Sequence, residues 1–304
     1  TEPKQLPKKP LPKNYLLIFF TLLTYSVNAQ IAWSWVQPLN GSSSQMGPVA
    51  IAADPVSGFY ASGYFSGTRN FGTYTLTSLG YSDAFLARYD NSGNVIWAYN
   101  YGSSISTTVA KAAAVDGNGN IYFAGTFTDT MTIGGITLNP HGVVDMFLIK
   151  VNPTGNVLWA KSLGGQGLDN ATSVAIDNQN NVYLGGSYFF KAYFDNDSIG
   201  NNVTNEQIFI AKFSPGGQLQ WLTDAGGSQD DACTGLSISA NRLYMSGVII
   251  GSCTFGGNNV VAANADAFIA KYSLSGTNLW VKKAGGPQND LGKGLGTDMY
   301  GNAY

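Results

Sequence analysis

Three aspartates share one spacing behind a glycine pair: Asp169 after Gly164-Gly165, Asp231 after Gly226-Gly227 and Asp290 after Gly285-Gly286. Carboxylates at one register of a repeated chain can converge, and three of them could hold a hard cation such as Ca²⁺ or meet a basic partner. The plainer reading is that each caps its own turn by accepting backbone N–H bonds, which Asp does readily. Residues 103–108, at the same phase one period earlier, contain no Asp, which argues against a symmetric metal ring. Asp116-x-Asn118-x-Asn120 matches the opening of a calcium loop, but the twelfth position is Phe127 where a bidentate Glu is needed. A hairpin turn explains that stretch better.

Other reactive groups are few. The single histidine, His141, sits between Pro140 and Gly142 without a repeated partner, so solvation is expected and acid–base catalysis by it alone is not. The two cysteines, Cys233 and Cys253, are 20 residues apart. A disulfide between them and a pair of buried thiols are both open, because adjacent strands could bring them together only if their registers match. One His and two Cys leave little for a zinc site or a Ser-His-Asp triad. The 16 basic and 18 acidic residues give no electrostatic footprint for nucleic acid, and 44% apolar content excludes a disordered chain. No catalytic residue is expected, and no cofactor beyond a possible Ca²⁺.

The N-terminus reads as an export signal. Lys8, Lys9 and Lys13 precede an apolar run from Tyr15 to Tyr25, and Val27-Asn28-Ala29 presents small residues where a signal peptidase cuts. The run is short of the ~20 apolar residues of a membrane-spanning helix. Removing residues 1–30 takes away four Lys and one Glu and leaves a mildly acidic chain with no expected membrane span.

The elements that would position these groups repeat. Trp35, Trp97, Trp159, Trp221 and Trp280 are separated by 62, 62, 62 and 59 residues. Phe85, Phe147, Phe209 and Phe268 keep the same step, each followed three residues on by Arg88, Lys150, Lys212 or Lys271. Tyr-x-x-Gly recurs at Tyr60, Tyr122, Tyr183 and Tyr244. Each period holds four short segments rich in aromatic and β-branched residues, bounded by turns such as Asn152-Pro153-Thr154-Gly155, and no capped helical run. Four antiparallel strands repeating along a chain predict an all-β fold, a β-propeller of four-stranded blades at about 62 residues per repeat.

The phrases Ala114-Val115-Asp116, Asp145-Met146-Phe147-Leu148-Ile149-Lys150 and Trp159-Ala160-Lys161 resemble the secreted bacterial β-propeller repeat, SBBP. The resemblance implies a secreted or outer-surface protein, in many members delivered by type IX secretion. It makes the Asp-ended strand innermost and the Trp strand outermost. Blades then fall at about 48–102, 109–165, 171–227 and 233–286, with a strand at 31–39, a partial blade at 291–304 and a larger ring expected beyond. Gln207 departs from Asp83, Asp145 and Asp266, and Ser239 from Asp54, Asp116, Asp177 and Asp298.

Each repeated Trp is expected to dock one blade on the next. The long connections at 67–82, 128–144, 190–206 and 251–265 vary most between periods and read as recognition loops. The expected function is a non-catalytic scaffold that recognises a protein or glycan, monomeric once its ring is complete. The alternatives are a propeller enzyme with its site at the channel mouth, since Gly93/Trp97 and Gly155/Trp159 resemble quinoprotein propellers, or a structural spacer.

Overall fold

A computed structural model describes residues 40–41 and 45–304. The expected export signal, the strand at 31–39 and Trp35 lie outside the described residues. Among the described residues every regular element is a β-strand, and no helix is long and apolar enough to cross a membrane.

Sixteen of the strands make four antiparallel blades, each running inner, second, third and outer strand in chain order. Blade 1 is Met46–Ala53, Phe59–Phe65, Asp83–Tyr89 and Val95–Tyr101. Blade 2 is Thr108–Val115, Ile121–Phe127, Asp145–Val151 and Val157–Gly165. Blade 3 is Asn170–Ile176, Val182–Phe194, Asp197–Phe213 and Leu219–Gly227. Blade 4 is Ala232–Ser239, Arg242–Phe255, Asn258–Ser273 and Asn278–Ala284. This is β-propeller architecture. Among the described residues no strand pairing joins the first blade to the last.

Both faces of a blade are covered, and the core lies between blades. The third strand of blade 2, DMFLIKV, is buried at all seven positions. Strand periodicity sends Phe147 and Ile149 to one face and Met146 and Leu148 to the other. The first pair joins the core shared with blade 1, the second the core shared with blade 3. A near-continuous apolar run instead of alternation is what a strand covered on both faces requires. Ionisable residues within these strands must therefore find partners.

The connections read as recognition loops are structured hairpins instead. In blades 1 and 2 they are Thr68–Phe71 with Tyr74–Thr77 and Met131–Ile133 with Ile136–Leu138; in blades 3 and 4 they are extensions of the second and third strands. A buried residue precedes each two-residue turn: Phe71, Ile133, Phe194 or Phe255. Phe71 packs on Phe85, Phe194 on Phe209 and Phe255 on Phe268, with ring centroids 4.9, 4.9 and 5.0 Å apart. Positive φ at Gly134 and Gly135, and at Gly256 and Gly257, suits tight hairpin turns.

The hairpins also join blades. Gly164 and Gly165, ending the outer strand of blade 2, pair with Tyr193 and Ala192 of blade 3. Ala225, Gly226 and Gly227 pair likewise with Phe255, Thr254 and Cys253 of blade 4. In residues 291–304 Thr297 and Ala303 form a bridge, and Tyr244 of blade 4 donates to the Gly301 carbonyl at 2.6 Å.

Candidate functional site: the blade-edge grooves

The repeated Trp, Tyr, Arg/Lys and Asp form one structural unit. The indole N–H of Trp97 donates to the Pro153 carbonyl at 3.0 Å, Trp159 to Pro215 at 3.1 Å and Trp221 to Leu274 at 3.1 Å, each acceptor lying one blade on. The same carbonyls accept from Arg88, Lys150 and Lys212. Those cations pair with Asp54, Asp116 and Asp177 at 2.7, 3.6 and 3.5 Å and lie over the rings of Tyr60, Tyr122 and Tyr183. The indole N–H groups of Trp97, Trp159 and Trp221 are therefore committed to blade docking, while the Trp221 side chain also lines the cavity beside Lys161 and Asp195. Asp116 also accepts from the backbone N–H groups of Asn118 and Asn120 at 2.9 Å, so the stretch resembling a calcium loop is a capped hairpin turn. In blade 4 Ser239 holds the Asp position, and Lys271 keeps its contact over Tyr244 at 5.0 Å. Trp280 packs on the same Tyr244 at 6.5 Å.

Asp169, Asp231 and Asp290 each sit in their own outer-to-inner crossover. Asp169 Oδ2 accepts from Gly165 N–H at 2.5 Å and Oδ1 from Phe189 N–H at 3.1 Å. Asp231 Oδ1 accepts from Ile250 N–H at 2.8 Å, and Asp290 Oδ2 from Gly286 N–H at 2.8 Å. Asp169 and Asp231 thus staple the crossover to the next blade's second strand. Burial pushes the Asp169 carboxyl up to about 7 against the pull of those backbone bonds, and burial likewise raises Asp231. Among the described residues no three His, Cys, Asp or Glu side chains are arranged to hold a metal ion.

Cys233 and Cys253 are both free and fully buried. Their registers do not match: Cys233 pairs with Gly247, and Cys253 lies six residues further along that same strand. The strand is irregular between Ile250 and Ser252, and the Cys253 thiol is turned to Asp231 Oδ1, at 3.1 Å, and not to Cys233.

Concave surface lies at the blade edges. Between blades 2 and 3 two adjoining cavities, of about 860 and 400 Å³, share Lys161 and Asp195. Lys161 Nζ bonds both carboxylate oxygens of Asp195, at 2.6 and 2.8 Å. The smaller cavity is lined further by Asn139, Ser162, His141 and Tyr193, the last two with rings 6.3 Å apart. His141, expected to be solvated, is half-exposed in this wall, with Nδ1 3.6 Å from Asp145 Oδ2.

The groove recurs with different walls. One blade earlier a cavity of about 350 Å³ is lined by Tyr99, Gly134 and Gly155; one blade later a cavity of about 300 Å³ is lined by Thr223 and Gly256. Tyr99, Lys161 and Thr223 each stand two residues after a docking Trp, facing the next blade's hairpin turn. Reading the sequence for repeats overlooked Lys161 and Asp195 because they do not repeat. The available signal was the departure itself: Phe194-Asp195-Asn196-Asp197 replaces the Gly-containing turns of the other blades, and Asp195 takes φ 54 without being glycine.

No family model matches the chain. It is 25% identical over 272 residues to the uncharacterized WD repeat-containing protein L264 of Acanthamoeba polyphaga mimivirus, covering 72% of this chain and 19% of that protein. It is 24% identical over 157 residues to the regulatory protein FlaEY of Caulobacter vibrioides, covering 49% of this chain and 16% of that protein. The chain therefore spans under a fifth of either relative. A protein of unknown function from Bacteroides caccae superposes with a TM-score of 0.37 at 12% identity, over 82% of this chain and 64% of that one. Similarity to a WD repeat-containing protein agrees with the bladed fold. This is a propeller-like repeat protein.

Proposed function

We propose that the chain is a non-catalytic recognition scaffold of the secreted bacterial β-propeller repeat type, exported to the cell surface or beyond, that engages a protein or glycan through its blade-edge grooves. One observation carries the reading. A groove of constant position recurs at three blade steps, while the two side-chain positions that face each other across it change from Tyr99/Gly134 to Lys161/Asp195 to Thr223/Gly256. A fixed frame with variable walls is how repeat proteins carry specificity.

The groove between blades 2 and 3 is the favoured site because it is the largest and holds a charged pair with polar and aromatic neighbours, a lining suited to polyhydroxylated or charged surfaces. The docking cations Arg88, Lys150 and Lys212 are paired within the blades and are not available to such a ligand.

Thermal unfolding of the chain across a panel of glycans, with and without Ca²⁺, tests this. A rise in Tm with one glycan class that is lost in Lys161→Ala supports the groove. A rise that survives in Lys161→Ala but is lost in Asp231→Asn moves the site to the crossovers.

A further inference from the structure

At three equivalent places the fold presses a third-strand residue and a crossover residue against one glycine. In blade 2 a Cβ on Gly164 would collide with Asp145 Oδ1 and lie 2.7 Å from Asp169 Oδ2. In blade 3 the partners at Gly226 are Gln207 and Asp231, and in blade 4 those at Gly285 are Asp266 and Asp290. In blade 1 Gly102 meets Asp83, and Thr108 stands at the crossover position, bonding the Ser82 carbonyl as Asp169 bonds that of Val144.

Two carboxylates in contact repel, and three of the four blades avoid it. Blade 1 supplies the hydroxyl of Thr108 and an Asn100 amide that donates to Asp83 at 2.8 Å. Blade 3 replaces one acid by the amide of Gln207. Blade 4 places Lys283 on Asp266 at 2.7 Å, and its Asp290 is partly exposed. Blade 2 has neither remedy. Asp145 is 0% and Asp169 1% exposed, and neither makes an ion pair with Lys or Arg among the described residues. Asp145 Oδ2 accepts from His141 and Gly142 N–H, while its Oδ1, facing Asp169, is buried with no donor; Asp231 Oδ2 and Asp266 Oδ1 are also buried without a donor, but Asp231 faces an uncharged Gln207 and Asp266 is neutralised by Lys283, so only blade 2 sets two acids together with no Lys or Arg.

We propose that Asp145 and Asp169 form a proton-binding dyad, a single proton held between Asp145 Oδ1 and Asp169 Oδ2, which latches the blade 2 to blade 3 crossover. One carboxyl kept neutral supplies the donor that Oδ1 lacks and removes one of two adjacent buried charges. The ionisable groups facing the dyad are His141, whose Nδ1 lies 3.6 Å from Asp145 Oδ2, and Tyr188 on the second strand of blade 3, whose hydroxyl donates to Asp224 at 3.0 Å. The outer strand of blade 2 contributes the backbone at Gly164 and Gly165.

The direction of the pH effect follows. Burial, with the neighbouring carboxylate adding to it for Asp169, raises both acids, Asp169 to about 7. A carboxyl raised in the folded chain binds its proton more tightly there than in the unfolded chain. Its stabilisation is complete below the unfolded carboxylate range near pH 4 and is lost as pH climbs to about 7. Losing the proton sets two buried charges against each other across Gly164, beside the staple from Asp169 to Phe189 N–H, where Phe190 is held at φ 61 in the place blade 4 gives to Gly251. The latch adjoins the groove wall through His141, so its state is carried to the site where the ligand is expected.

Urea unfolding of the wild-type chain and Asp145→Asn from pH 4 to 9 tests the dyad, because the amide donates where the proton would and keeps the acceptor for His141 and Gly142. The ratio of unfolding constants, wild type over variant, is expected to rise by up to about tenfold per pH unit between pH 4 and 7 and to level off above. A ¹³C titration of Asp carboxyls in the wild-type chain is expected to show a step near pH 7 that Asp145→Asn removes, and it decides alone if the variant does not fold. A flat ratio, or Asp145 and Asp169 both ionised by pH 5, overturns the proposal.

Discussion

The indole N–H of Trp159 donates to the carbonyl of Pro215 across the boundary between blades 2 and 3, at 3.1 Å, and Lys150 donates to the same oxygen at 3.0 Å. Two donors from one blade on a single carbonyl of the next make this a fixed hinge point of the stack. Trp159→Phe keeps most of the ring and deletes one bond, so a loss of about 1 kcal/mol in urea unfolding is expected, with Pro215 still held by Lys150. A loss below a few tenths would show that Lys150 alone sets the docking.

Gly217 stands behind that bond. Its φ is 86, and a Cβ there would come within 3.1 Å of Trp159 Cδ2 and Cε2. Gly217→Ala should destabilise by more than the ~1–2 kcal/mol of left-handed backbone strain, because the indole must also shift. Gly257, at φ 97 with nothing within 4 Å, is the comparison: Gly257→Ala should show the backbone term alone. Equal losses at the two positions would argue against close packing on Trp159.

The turn joining the first two strands of blade 4 differs from its counterparts. Ala240 and Asn241 take φ 48 and 55, and Ser239 replaces the Asp that caps this turn elsewhere. Both central residues are left-handed, a geometry that favours Asn-Gly. The double change Ala240→Asn with Asn241→Gly is expected to stabilise by about 1 kcal/mol, read as a higher urea midpoint at unchanged slope.

Burial pushes the thiols of Cys233 and Cys253 up to about 12, for Cys253 with help from neighbouring Asp231. Neither should react with a thiol reagent in the folded chain at pH 8, and both should react once it is unfolded. The intact mass should be the same with and without reductant. A loss of two protons reversed by reductant would contradict the register that separates them.

Much of the fold was legible because it rests on repetition. The 62-residue step of the Trp and Phe positions is the spacing of the blades, and DMFLIKV carries the unbroken apolar run of a strand covered on both faces. The hairpins were misread as loops because Gly134-Gly135 and Gly256-Gly257 are loop signals in isolation; only the buried Ile133 and Phe255 before them mark a packed turn. The site was harder to see for the opposite reason. Repeats draw attention to what recurs, and Asp169, Asp231 and Asp290 recur because each caps a crossover. Lys161 and Asp195 are brought together from positions 34 residues apart by the pairing of one blade's outer strand with the next blade's hairpin, which no local pattern announces.

The central claim is that the groove between blades 2 and 3 recognises a ligand through Lys161 and Asp195. The direct measurement is the affinity of the most stabilising glycan of the panel for the wild-type chain and for Lys161→Tyr with Asp195→Gly, which gives this groove the side chains of the one before it. The Lys161 and Asp195 side chains are 18% and 31% exposed, and ion pairs of this partly solvated kind contribute about 1 kcal/mol or less, so the change should leave the chain folded. The account predicts an affinity at least tenfold weaker with the fold intact. Unchanged affinity in the folded variant would contradict it.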